Sequence, residues 1–533
     1  MNSPKLALAC CILALSACSQ PNTSATLPAN KDTLVIINGA EPSSLDPQLS
    51  QDTHGSAIIR QMFEGLVTTD ATGKTVPALA TSWHSDDHKT WTFTLRDANW
   101  SNGEPIRADD VVFALRRLVD PATASPYASY LADAKVVNAH EITEAKLPRD
   151  QLGVRALNDK TVEIRLLEAV PYFVDMLALP VTYPVPQKVV EQFGEKWLNP
   201  EHIVVSGAYR LSEWTIGSHI KLERNLAYYD NAKTQIDKVQ FLPITAQNGL
   251  NRYLAGEADI APVPGEQLEK IKADLPSEIH TAPKLCTFYL EPNIAAAPLN
   301  DTRIRQALSM TVMRDPLVKA LKRGEVPTYQ LTPSATQGMG EISPEWTKLD
   351  QDKRNQQAQA LLAQAGYSTA NPLRFEFLYA TSETGKMLSS AVAAMWKQNL
   401  NGAVDVTQNN QEWKAFLDSK NQGKYTITLS GWCADYNEPS SFLNLLKTGN
   451  SNNTGKYSNA QYDALLASTL SDHADAAART QAYTQVEILI SQDTAVIPLF
   501  SALSVRLVKP YVSGFSNDDP LDNYLIKDLS FKP

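Results

Sequence analysis

From Lys353 to Val406 the chain alternates helix and strand signals, and this alternation restricts the possible folds more than any other feature. Ala358, Leu361, Leu362 and Ala365 recur on one face of a segment that Gly366 stops, which predicts a helix over 353–365. The apolar run Leu373 to Tyr379 predicts a strand. It is followed by a helix near Lys386 to Leu400, then Gly402, then a strand-like Ala403 to Val406. Helix, strand, helix, strand is the pattern of an α/β lobe with a mixed sheet. Further upstream, Trp91, Phe93 and Leu95 alternate with polar neighbours as in a half-buried strand. Asp109 is expected to cap a helix whose stripe is Val111, Val112, Leu115, Leu118 and Val119. A chain of 533 residues exceeds a single-core domain and should form two or three lobes.

The N-terminus places this body outside the cytoplasm. Lys5, an apolar run from Leu6 to Ala14, and Leu15-Ser16-Ala17-Cys18 have the layout of a secretory signal, too short to span a membrane as a helix. Small residues just ahead of a cysteine also resemble a bacterial lipoprotein signal, with cleavage before Cys18 and lipid on its sulfur. Simple cleavage to a soluble protein is the alternative. Residues 1–17 are thus read as signal peptide and 18–32 as a flexible lipidated tether, with a folded body from about Thr33. Cys10 and Cys11 leave with the leader and Cys18 takes the lipid, so the body keeps Cys286 and Cys433. Two thiols in an oxidising compartment suggest a single disulfide, with two buried free cysteines as the alternative. Losing Lys5 moves the formal charge from −10 to −11, an acidity that argues against nucleic acid as partner.

The segment Gly431-Trp432-Cys433-Ala434-Asp435-Tyr436-Asn437-Glu438-Pro439 carries the densest chemistry. It follows the strand-like Tyr425 to Leu429 and ends in a turn signal. Asp435 should therefore sit just past a strand end, able to face a cleft; an ordinary turn acid bonding its own backbone is the structural alternative.

Several further motifs fall in a fixed order: Ser44-Leu45-Asp46-Pro47, Phe63-Glu64-Gly65-Leu66, Trp91 to Arg96, Trp100-Ser101-Asn102-Gly103, Ser125-Pro126-Tyr127-Ala128-Ser129-Tyr130, Ser206-Gly207-Ala208-Tyr209, Gln411-Glu412-Trp413 and Gly431 to Pro439. Together they resemble the periplasmic oligopeptide-binding proteins of peptide ABC importers, within the family 5 solute-binding proteins, over essentially the whole mature chain. The resemblance implies an α/β, class II periplasmic-binding-protein fold with two main α/β lobes around a cleft and a third, smaller α/β domain. The implied division is 33–53, 182–285 and 502–533 for one lobe, 54–181 for the small domain, and 286–501 for the second lobe. It also implies a monomer without cofactor or metal that captures short peptides in the periplasm by lobe closure. Such a receptor passes its ligand to membrane-embedded ABC permease subunits and touches the membrane only through its lipid.

A receptor for peptides of any sequence must hold an ammonium, a carboxylate and the backbone between. By the resemblance, Asp435 takes the ammonium, and Gly431, Trp432 and Cys433, opposite Glu41, Pro42 and Ser43, pair with the peptide as an added strand. Trp413 and Trp432 wall side-chain pockets, with Tyr127, Tyr130 and Tyr289 as weaker candidates for which core packing is an equal reading. Cys286 and Cys433 match the family's disulfide halves, which the murein-tripeptide branch lacks. Two positions depart from the pattern: Leu429 stands where an arginine is usual, and Gly385 where a histidine is usual. Lys420 remains as a basic residue for the ligand carboxylate, with a surface lysine as alternative. Leu499-Phe500-Ser501-Ala502 replaces a run of tyrosines. The same scaffold binding murein tripeptide, haem or nickel is the alternative function. An enzyme is disfavoured, since neither HExxH nor GxSxG occurs, and His84, Asp86, Asp87 and His88 read as a solvated turn.

Overall fold

The computed structural model describes residues 27–29, 31–470 and 475–532, so the leader, Cys18 and most of the tether lie outside the described residues. An 11-stranded sheet runs through the molecule. Its spatial order is Val404–Gln411, Leu373–Ala380, Ile427–Cys433, Ile279–Pro292, Ile497–Val508, Ile260–Pro262, Thr33–Ile37, Lys238–Leu242, His219–Arg224 and Tyr209–Thr215, with Val326–Pro327 added beside Ile497–Val508.

The alternation read from 353–406 is present as the helix Gln351–Gln364, the strand Leu373–Ala380, the helix Glu383–Asn399 and the strand Val404–Gln411. The two strands pair in parallel, as their crossover helix requires. That helix buries Leu388, Val392 and Trp396 against Phe375, Phe377 and Val404. The Trp396 indole N–H donates to Leu308 O at 2.9 Å, so the ring is buried with its polar atom satisfied. Ser382 caps the helix by accepting from Gly385 N at 2.9 Å. A Cβ on Gly385 would lie 2.7 Å from Ala380 O and 2.8 Å from Ser382 Oγ, so close packing at the helix start accounts for the glycine there.

Two long antiparallel strands, Ile279–Pro292 and Ile497–Val508, run from one side of the molecule to the other. Ile279 to Pro283 pair with Leu507 to Leu503, the ladder then breaks, and it resumes at Thr287 opposite Ser501. On one side of the break lies the core of Leu34, Ile36, Val239 and Phe241; on the other lies the core of Leu290, Phe377, Trp396 and Ile497.

A four-stranded antiparallel sheet, Ala80–His84, Thr90–Leu95, Thr161–Arg165 and Val154–Asn158, forms a separate small lobe. The helix Ala108–Val119 lays the expected stripe, Val111 to Val119, on Trp91, Phe93 and Val162. Its cap differs from expectation. Asp109 lies inside the first turn, and Asp110 reaches back to accept from Arg107 N at 2.9 Å and from Trp100 Nε1 at 3.2 Å. The choice between neighbouring carboxylates depends on Trp100, which reaches the helix through the fold.

Candidate functional site

The strand expected to stop at Leu429 runs from Ile427 to Cys433. It pairs along its length with Pro292 to Cys286, but on its other side the parallel ladder with Leu373–Ala380 holds only Ile427 and Thr428. Among the described residues, the edge from Leu429 to Cys433 thus has no strand partner on that side. Gly431 is exposed, and a side chain there would press on the Phe288 ring at 3.2 Å. An unpaired strand edge lining a cleft is a template for another extended chain. Cys433 faces Cys286 in register, and the structure joins them with an S–S distance of 2.03 Å.

Asp435 lies two residues past the strand end. Its N–H donates to Ser441 Oγ at 2.7 Å, and its Oδ1 accepts from the Tyr127 hydroxyl at 3.2 Å. Among the described residues no ion pair forms at this carboxylate. Burial pushes its pKa up to about 7, while the Tyr127 hydrogen bond and the Arg60 charge pull in the other direction. Arg60 does not touch it; its guanidinium donates to Ala178 O at 2.9 Å and Tyr183 OH at 3.2 Å. The arrangement is that of an acid desolvated in advance of a cation. Tyr127, Trp432, Asp435, Tyr436, Ser441 and Asn452 line a cavity at this point.

The aromatic residues separate into two groups. Tyr127 lies 6.0 Å from Trp432, ring centre to ring centre, and reaches Asp435 across the cleft. Trp413 opens the helix Trp413–Asn421, whose cap Glu412 accepts from Lys414 N at 2.9 Å. It stacks on Phe416 and meets His54 of the opposite wall edge-on at 6.0 Å. The indole N–H groups of Trp413 and Trp432 are buried without a partner among the described residues, so each holds an unused donor. Tyr130 also lines this cavity, its ring 5.9 Å from that of Tyr127 and its hydroxyl donating to Met176 O at 3.0 Å, whereas Tyr289 belongs to a core with Leu331 and Phe442.

On the facing wall, Glu41 accepts from Trp214 Nε1 at 2.7 Å and from Gly217 N at 2.9 Å, which engages both carboxylate oxygens with a hairpin. Pro42 is buried, and the Ser43 N–H donates to Asp52 Oδ2 at 2.9 Å, leaving the buried Ser43 Oγ without a partner among the described residues. Lys420 corrects an expectation. Rather than standing free for a ligand carboxylate, its ammonium lies 3.1 Å from Glu291 Oε2 and donates to Ser430 Oγ at 2.8 Å. Glu291 also accepts from the Tyr425 hydroxyl at 2.9 Å, and its attraction holds Lys420 above the usual lysine range against the opposing effect of burial. Arg60 and Ser441 were not legible as site residues, since neither carries a local motif.

The family model for bacterial extracellular solute-binding proteins, family 5 Middle, matches residues 74–454. The chain belongs to the family 5 solute-binding proteins. It is 45% identical over 517 residues to the periplasmic oligopeptide-binding protein OppA of Salmonella typhimurium, covering 95% of each chain. Among solved structures, Haemophilus influenzae OppA in complex with the peptide RPPGFSPFR matches this family 5 protein with a TM-score of 0.92 and 41% identity, covering 94% of this chain and 99% of that one. The Escherichia coli murein tripeptide binding protein MppA, at 38% identity, also matches at 0.92, covering 94% and 99%. The unliganded open form of MppA, at the same 38% identity and covering 94% and 98%, matches at 0.66. At the same identity the structure described as unliganded and open matches less well than the other MppA structure, and the peptide complex matches at the higher score.

Proposed function

We propose that this family 5 protein captures short peptides in an extended conformation between its lobes and delivers them to an ABC-type peptide permease. The observation that carries this reading is Asp435, a half-buried carboxylate with no ion-pair partner among the described residues, beside a strand edge unpaired among them. Asp435 takes the peptide ammonium, a charge-assisted contact of about 1.5 to 3 kcal/mol. Leu429 to Cys433 add the peptide backbone as a strand, and Trp413 and Trp432 bound the pockets between side chains. The lobes divide near 285/286 and 501/502, where the ladder between the long strands is interrupted. Before capture the exported chain loses residues 1–17, carries lipid on Cys18 and holds the Cys286–Cys433 bond, and it works as a periplasmic monomer.

Calorimetry against a panel of di- to pentapeptides, with murein tripeptide as competitor, tests the reading. Binding with a rise in Tm is expected for peptides with a free N-terminus. No response across the panel rejects it, and preference for murein tripeptide over every simple peptide moves the chain to the relative's specificity. Mass spectrometry of the exported, non-reduced protein checks the lipid and the disulfide together.

A further inference from the structure

Asp133 ends the short helix Tyr130–Asp133 of the small lobe and is buried at 8% exposure. Its partners come from the second lobe: Lys447 Nζ donates to Oδ1 at 2.8 Å and Asn450 Nδ2 to Oδ2 at 2.6 Å. At the next residue, Ser451 N donates to Ser129 Oγ at 2.8 Å and Ser451 Oγ to Pro126 O at 2.7 Å. Asp133 and Asn450 line the same cavity as Asp435. With Ser129 N donating to Ser451 Oγ at 3.4 Å, five bonds bridge these segments of the small lobe and the second lobe beside Asp435.

We propose that Asp133, Lys447, Asn450 and Ser451 form an interlobe clasp that fixes how slowly this receptor releases its ligand, independently of the ligand's side chains. Its affinity readout rests on the peptide reading; its conformational readout does not. The clasp groups lie on different lobes, which also meet where Tyr436 and Leu470 join the small-lobe core, so opening parts them and returns each to water. In the closed molecule Asp133 is desolvated and balanced by Lys447, whose ammonium is held above its usual range by that carboxylate. Removing one partner leaves the other's charge unmatched in the closed form only, most severely the buried Asp133 carboxylate, since the Lys447 side chain is 34% exposed, and this drives opening. Replacing both with apolar side chains strands nothing. Apparent affinity scales with the closed fraction, and a contact made on closure acts mainly on dissociation.

The test follows release of a fluorescent peptide by stopped flow in Lys447→Met, Asp133→Leu and the double variant, with small-angle scattering of each protein without ligand. Each single variant should release peptide roughly tenfold faster or more with association little changed, and the double variant should regain most of the loss. Single variants that release peptide at the wild-type rate overturn the clasp, as do losses that simply add in the double variant. Should the wild type bind no peptide, the function reading fails alone and scattering decides the clasp: a wild type more compact than Lys447→Met upholds it, and identical curves overturn it.

Discussion

The two charged positions along the strand Ile427–Cys433 are handled in opposite ways. Lys420, whose ammonium meets Ser430 on this strand, lies against Glu291 and is neutral as a pair inside the protein. Asp435, just past its end, has a tyrosine hydroxyl and a backbone-anchoring serine but no ion-pair partner among the described residues. Both groups are half-buried and both bear a desolvation penalty, so the difference lies in what offsets it. At Lys420 the fold supplies the counter-charge. At Asp435 the fold supplies none among the described residues, so under the proposed function the Asp435 end would discriminate by charge and the Lys420 end would hold its ligand by backbone and shape.

The sharpest way to break this contrast is Asp435→Asn. Affinity for peptides with a free N-terminus should fall by about 3 kcal/mol, more than a hundredfold, by calorimetry. A variant that binds as the wild type does would remove the distinction between the two positions. Lys420→Met tests the other side. It leaves Glu291 buried and unmatched, so denaturant unfolding should show a loss on the order of 3 kcal/mol, while the protein's preference between peptide acids and C-terminal amides stays the same. If that preference disappears, Lys420 reads a ligand carboxylate and the two positions are alike.

The pH dependence sharpens the contrast with a smaller effect. In the ligand-free protein Asp435 titrates at about 7 against an ordinary value of 3.8, so the folded state holds a proton there that the unfolded chain has released. Its contribution is fully present below pH 3.8 and is lost as pH rises through about 7, and Asp435→Asn should remove that slope. A bound ammonium requires the ionised acid, so binding between these values expels a proton, and Kd should rise by up to about tenfold per unit as pH falls. Calorimetry at pH 6 in buffers of different ionisation enthalpy measures the proton directly; no release at that pH would place the ligand's charge elsewhere.

Much of the architecture was legible because it is local. Helix Gln351–Gln364 announces itself by its apolar face and by Gly366 at its end, and the strand Leu373–Ala380 by its run of large apolar residues. Asp435 was legible as a residue past a strand end because the turn signal Asn437-Glu438-Pro439 follows it. The strand itself was read too short: Ser430 to Cys433 alternate poorly and extend only because Cys286 to Tyr289 pair with them. Lys420 was misread for the same kind of reason, since its partner Glu291 is remote in sequence and no local pattern couples them.

The amino-acid order by itself determined the periodic elements and the presence of one acid where a strand gives way to a turn, both of which depend on neighbours within a few residues. Only the tertiary structure decided which charges are matched. It brought Glu291 to Lys420, Lys447 to Asp133 and a tyrosine to Asp435. The reason is physical: a charge's state is set by its desolvation and by partners within a few ångströms in space, and both exist only once the chain is folded.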